Sequence, residues 1–136
     1  SIIGMPDETR DLIFDTINFV RELPDSIDAT GAFIFAPYHG TPLRDLAIRK
    51  GYINDDEICS LSNTSESMLR MPTITKSEIQ GLAKTFSLYT KFPKERWPEI
   101  KIAESDSAEG TKMMEKLGKE FDSTYRQFPK GTDLHD

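Results

Sequence analysis

The stretch Ser1-Ile2-Ile3-Gly4-Met5-Pro6-Asp7-Glu8-Thr9-Arg10 decides the fold. A short β-branched run enters Gly-x-Pro-x-Glu-Thr, and an amphipathic segment follows, so the pattern is a strand ending in a tight loop at a helix N-terminus. The helix is predicted to begin at Pro6 or Asp7, with Ile13, Phe14, Ile17 and Val20 as its apolar face. Leu23-Pro24 ends it, because proline disfavours helix at the residue before it. A strand with no lead-in reads as the interior of a larger α/β protein. We therefore expect this chain to be a fragment, with much of the parent's function in the missing part.

Working outward, Asp28 to Ala36 is predicted as a second strand, and its continuously apolar core Ala32-Phe33-Ile34-Phe35-Ala36 suits a strand covered on both faces. Pro37-Tyr38-His39-Gly40 is a loop. Thr41 caps the next helix, with Pro42 at its first position, Leu43, Leu46 and Ala47 facing inward, and Gly51 just beyond its end. Strand, helix, strand, helix is the order of a parallel sheet with right-handed crossovers.

After Gly51 the character changes. Asn54-Asp55-Asp56-Glu57 reads as the acidic first turn of a short helix, and residues 59–74 as irregular, with an extended piece at Met68 to Met71. Thr75-Lys76-Ser77-Glu78 is a capping box, followed by Ile79, Leu82, Ala83, Phe86 and Tyr89 at helical spacing. Pro93 breaks that helix and Pro98 makes another interruption. A last helix is predicted from Ser107 to Arg126 with the stripe Met114, Leu117, Phe121 and Tyr125, and then a fraying polar tail from Phe128.

The 136 residues are one domain or part of one; hydrophobic content is 37% and net charge −6. A mean hydropathy of −0.49 suits a piece that leans on a neighbour, and a pI near 5.0 argues against a nucleic-acid partner. No apolar run approaches the roughly 18 residues of a membrane span. No signal peptide is visible at the N-terminus. The single cysteine, Cys59, forms no internal disulfide, which fits a reducing cytoplasm, the expected location.

The residues that could carry chemistry lie at the carboxyl ends of the two strands, where parallel α/β folds bind ligands. Gly4 permits close approach to a ligand, and Glu8 and Thr9 stand at a helix N-terminus. The same residues make a good strand-to-helix turn, with Gly for geometry, Pro to start the helix and Glu for the dipole. On residue physics alone that second reading is the stronger. Tyr38 and His39 could line a pocket; Thr41 is the stronger as a cap. His39, His135 and Cys59 are scattered, and a closed zinc site needs about four ligands, so metal binding is not expected. The aromatic and basic run from Phe86 to Pro98 could suit single-stranded nucleic acid, but the acidic balance and the helical spacing of Phe86 and Tyr89 favour Trp97 as an anchor expected to dock the helical part onto the α/β part.

Three stretches resemble one family. Ile2-Ile3-Gly4-Met5-Pro6-Asp7-Glu8-Thr9 is similar to the Ile-Gly-Leu-Pro-Gly-Glu-Thr segment of radical S-adenosylmethionine enzymes. Phe33 through Leu43 resembles their later Phe-x-Pro-Tyr-x-Gly-Thr-x-Leu segment. Thr85-Phe86-Ser87-Leu88-Tyr89, continued by Lys91 through Ile100, resembles the C-terminal extension of the cobalamin-binding branch, which includes proteins similar to the anaerobic cyclase of magnesium-protoporphyrin monomethyl ester. The likeness covers residues 1–104.

The resemblance implies a parent with an upstream cobalamin domain and a partial (β/α) barrel. In that barrel a Cys-x3-Cys-x2-Cys loop holds a 4Fe-4S cluster that cleaves S-adenosylmethionine to a radical. This chain lacks the cysteine loop, so none of these cofactors is expected on it alone. Residues 1–52 would be the last βα units of the barrel and residues 53–136 a helical extension. Gly4, Met5, Pro6, Glu8 and Thr9, with Phe35, Pro37 and Tyr38 on the same rim, would border the S-adenosylmethionine pocket. The expected activity is that of a radical S-adenosylmethionine Fe-S oxidoreductase or methyltransferase, absent from this piece alone. Its expected partner is the missing N-terminal part, and exposed sheet edges are expected to favour self-association. A rival reading makes the helices from Thr75 onward a module that docks a protein or substrate. A third, a self-sufficient small α/β enzyme, finds no nucleophile–base pair.

Overall fold

A computed structural model describes residues 1–24, 31–59 and 66–125. Strand β1 (Ile2–Ile3) is followed by α1 (Arg10–Arg21), β2 (Phe33–Ile34) and α2 (Pro42–Arg49). Then come α3 (Lys76–Lys91), a 3-10 turn (Lys94–Arg96), α4 (Trp97–Glu104) and α5 (Ala108–Tyr125). The fold is α/β but mostly helical. Its sheet is one parallel pair, with Ile2 opposite Phe33 and Ile3 opposite Ile34.

Threonine starts three of the helices. Thr9, Thr41 and Thr75 sit in extended backbone and accept hydrogen bonds from the amides of Leu12, Arg44 and Glu78 at 3.2, 3.3 and 3.1 Å. The cap at Thr9 corrects the predicted start at Pro6 or Asp7. Asp7 has φ 64°, a left-handed conformation that no α-helix includes, so the helix begins three residues later.

At its paired residues the sheet is covered on one side only. Ile3 and Ile34 are buried, whereas Ile2 is 60% and Phe33 70% exposed. This corrects the reading of a strand covered on both faces at Phe33, which is open, whereas Phe35 two residues on is buried in a second core. The strand predicted over Asp28–Ala36 is two residues long among those described, and residues 25–30 lie outside them.

Helix α3 is the centre of the molecule. It packs on β2, α1, α4 and α5. Its Ile79, Leu82, Phe86, Leu88 and Tyr89 join Ile3, Ile13, Ile17 and Ile34 from the first half, and Ile100, Leu117 and Phe121 from the second, in one continuous core. Trp97 meets Phe14 of α1 and Tyr89 of α3 edge-on, with ring centroids 5.3 and 5.4 Å apart, so it joins the helical part to the α/β part. A smaller core of Phe35, Ala47, Ile53 and Leu69 lies under α2.

Two further expectations are corrected. Residues 54–57 form a turn, not a helix: Glu57 N–H donates to the Asn54 carbonyl at 3.2 Å, and the Glu57 carboxylate accepts from Asn54 N–H at 3.2 Å. Met68 to Met71 belongs to no helix or strand, and Arg70 N–H donates to the Tyr52 carbonyl at 2.8 Å. Pro98 does not interrupt a helix; it lies in the first turn of α4, where a missing N–H costs nothing. The end predicted for α5 at Arg126 and the fraying tail fall outside the described residues.

Two glycines allow the helices to close on one another. A Cβ at Gly81 of α3 would lie 2.7 Å from the Glu104 carbonyl oxygen, and one at Gly110 of α5 only 2.2 Å from that of Ser105. Gly118, also in α5, has no atom within 4 Å of such a Cβ. Gly110→Ala is therefore expected to destabilise the fold by about 1–3 kcal/mol through overpacking against backbone. Gly118→Ala is expected to stabilise it by about 0.5–1 kcal/mol. Urea denaturation followed by circular dichroism checks both, and equal effects would contradict this packing.

Candidate functional site

Because β1 and β2 are parallel, the loops that follow them leave from the same end of the sheet. The first is a self-contained turn. Gly4 has φ 82°, and a Cβ there would lie 3.2 Å from Cγ2 of Ile79, so both backbone and packing call for glycine. The Glu8 carboxylate turns back and accepts from the amides of Gly4 at 2.6 Å and Met5 at 3.3 Å, while Glu8 N–H donates to the Met5 carbonyl at 3.0 Å. With Thr9 capping α1, the two polar side chains of this loop already have work within the loop.

Asp7 ties that turn to the end of α2. Its carboxylate takes an ion pair from Lys50 Nζ at 2.6 Å and a hydrogen bond from the Tyr52 hydroxyl. The bonds from Lys50 and then Tyr52 hold the Asp7 carboxyl below its ordinary range. The same contacts push the Lys50 ammonium and the Tyr52 phenol upward.

The second loop is held from beneath. Thr41 Oγ1 donates to the Tyr38 carbonyl at 2.7 Å. Arg44, only 2% exposed, donates from Nη1 to the Pro37 carbonyl at 2.8 Å and from Nη2 to the carbonyls of Glu57 at 2.6 Å and Asp55 at 3.3 Å. The buried guanidinium is thus met by carbonyl dipoles of two loops. Glu57 in turn pairs with Arg70 at 2.5 Å, and that contact holds the Glu57 carboxyl below its usual value.

Between the loops, on the open face of the sheet, lies a cavity of about 440 Å³. Ile2, Phe33 and Phe35 line it from the strands, and Met5, Tyr38 and Leu43 line it from the loops and α2. Met5, Phe35 and Tyr38 are therefore brought together. Gly4, Glu8 and Thr9 are occupied inside the first loop, Pro6 is half-buried there, and Pro37 is buried with its carbonyl taken by Arg44. His39 is exposed. The sequence reading missed Arg44, Asp7, Lys50 and Tyr52. A charged residue next to an inward stripe carries no sign that carbonyls await it, whereas Asp in a Gly-x-Pro-x-Glu turn is a legible signal for positive φ.

Among the described residues, no group of three His, Cys, Asp or Glu side chains is arranged to hold a metal ion. No described helix is long and apolar enough to cross a membrane.

The lowered Asp7 carboxyl has a consequence for stability. Its contribution is present above the unfolded carboxyl value and is lost as pH falls through the lower folded value. Asp7→Asn is expected to unfold at a lower temperature than the parent at neutral pH, with the gap narrowing as pH falls below about 4. A gap independent of pH would mean that Lys50 does not stabilise this loop through the Asp7 charge. No family model, no curated protein and no solved structure matches the chain.

Proposed function

We propose that the chain is the C-terminal part of a cobalamin-dependent radical S-adenosylmethionine enzyme, an Fe-S oxidoreductase or methyltransferase, and that it is inactive alone. Residues 1–52 are the last βα units of its partial barrel and the remainder a helical extension. The observation that carries this reading is the backbone at Asp7. The family's Ile-Gly-Leu-Pro-Gly-Glu-Thr segment has glycine at the places of Gly4 and Asp7, and these two residues have φ of 82° and 64°. A glycine pattern and a left-handed backbone thus coincide at two positions of one loop. The loop from Phe35 to Gly40, which carries the second motif, leaves the same end of the parallel pair. The rival reading, an aromatic docking face around Trp97, has less support, because that ring packs against Phe14 and Tyr89.

The iron–sulfur cluster does not fit this chain: it takes several thiolates, and the chain has one cysteine. Cobalamin belongs to an upstream domain in this reading. The contribution left to this chain is one wall of the S-adenosylmethionine pocket, the Gly4 loop and the strand end at Ala36. Glu8 and Thr9 shape that wall through the backbone amides they bind rather than through free polar groups.

The test is the coding sequence that precedes Ser1, read from the genome. A Cys-x3-Cys-x2-Cys motif upstream supports the proposal, and a start codon or an unrelated domain there overturns it. For the isolated chain, anaerobic reconstitution with iron and sulfide should give no stoichiometric iron and no brown chromophore. Calorimetry should find at most weak binding of S-adenosylmethionine. Low-micromolar binding would show a pocket already complete.

A further inference from the structure

Helix α1 turns both of its arginines inward and leaves an apolar and acidic face outward. Arg10 pairs with Glu104, and Arg21 donates to the carbonyls of Tyr89 and Phe92. About half a turn round the helix, Leu12 is 50% and Phe19 63% exposed. They stand seven residues apart, with Thr16 between them on one ridge. Asp15 and Glu22, also exposed and also seven apart, form a second ridge beside the first, and Asp11 lies one turn before Asp15. None of these three carboxylates has an ion pair among the described residues. Apolar anchors at i, i+4 and i+7 beside a row of one charge are how one helix recognises another. We propose that this face docks a basic amphipathic helix, whose apolar ridge packs on Leu12, Thr16 and Phe19 and whose Lys or Arg side chains pair with Asp15 and Glu22.

Charge complementarity selects this occupant. A second copy meeting the face with its own α1 would bring carboxylates against carboxylates. The exposed basic stripe of α5, Lys112, Lys116 and Lys119, has no large apolar side chain on its ridge, so it offers a copy nothing for Phe19 to pack on. Nucleic acid and anionic lipid are repelled by the same three carboxylates. A helix with lysine or arginine beside its apolar ridge meets both halves of the face: Leu12 and Phe19 supply the burial, and the flanking charges set register and orientation. The 12 residues of α1 run about 18 Å, and one such face offers less than the roughly 800 Å² per partner of a standard interface, so the contact is weak and reversible. This face lies away from Trp97 and from the cavity, and its docking role holds whether or not the enzyme reading does.

The test uses the whole 136-residue chain and a synthetic amphipathic helix of about 18 residues, with leucine on one ridge and lysine on its flanks. Two control peptides carry glutamate in place of lysine, or the same leucines and lysines in scrambled order. We expect saturable one-to-one binding of the ordered lysine peptide, with resonance shifts centred on Leu12, Asp15 and Phe19. The scrambled peptide, of equal charge, should bind at least about tenfold more weakly, and Phe19→Ala should cost the ordered peptide at least about tenfold. Asp15→Lys combined with Glu22→Lys should exchange the preference, so that the glutamate peptide binds and the lysine peptide does not, a gain that a misfolded chain would not give. Asp56→Lys combined with Glu115→Lys changes the net charge equally at exposed positions elsewhere and should leave the preference as it was. Binding that ignores the order of the peptide, shifts centred on α5 or on the sheet, a preference that the charge reversal does not exchange, or no binding would each overturn the proposal.

Discussion

The carboxylate of Glu104 ties three helices together. It closes a bidentate pair with Arg10 of α1, both bonds 2.8 Å, and accepts from the hydroxyl of Tyr89 in α3. Glu104 ends α4, where the helix dipole disfavours a negative charge, and its side chain is only 10% exposed. Without its two donors the carboxylate would be stranded. Breaking one partner of such a pair costs about 3–5 kcal/mol, much of it from the charge left behind. Burial first, and then Glu104, raise the Tyr89 phenol, so it stays a donor at ordinary pH. At the other end of α1, Arg21 donates to the carbonyls of Tyr89 and Phe92 at 2.8 and 2.7 Å. Two arginines thus clamp α1 at its two ends, one onto α4 and one onto α3, with Phe14 packed between them against Tyr89.

Much of this was legible from residue patterns. Thr41 and Thr75 announced helix starts because capping is a local interaction, satisfied within three residues. The inward stripe of α3 followed from its spacing, since Ile79, Leu82, Phe86 and Tyr89 all had a core to face. Trp97 was recognisable as an anchor from its place between prolines. What escaped depends on distant partners. Pro98 reads as a breaker or as a first-turn proline according to what precedes it, and only the 3-10 turn before Trp97 decided between them. The Arg10–Glu104 pair spans 94 residues and leaves no periodic trace.

The candidate site divides along the same line. The resemblance put Tyr38, Phe35 and Met5 on one rim, and all three line one cavity. Glu8 and Thr9 looked like ligand groups because polar side chains at a helix N-terminus serve either a ligand or the chain itself, and here they serve the chain. Arg44 was hidden for a different reason. Its partners are backbone carbonyls, which every residue has, so no sequence pattern marks them. Its burial fixes the Pro37 loop to the Asp55–Glu57 turn, and so sets the height of the wall against which Tyr38 stands.

The parallel pairing of β1 with β2 also bears on the order in which the molecule assembles. Helices α3, α4 and α5 are neighbours in sequence and in space, so their contacts close short loops and form early. The strands must wait, because Ile2 pairs with a residue across a whole crossover and each strand offers two residues to the ladder. Their buried side chains, Ile3 and Ile34, gain most once α3 is already in place to receive them. The C-terminal helices then act as a template on which the N-terminal residues fold last. The cavity floor belongs to that late layer, and the bonded amides of Phe33 and Phe35 would exchange hydrogen with solvent before those in the middle of α3.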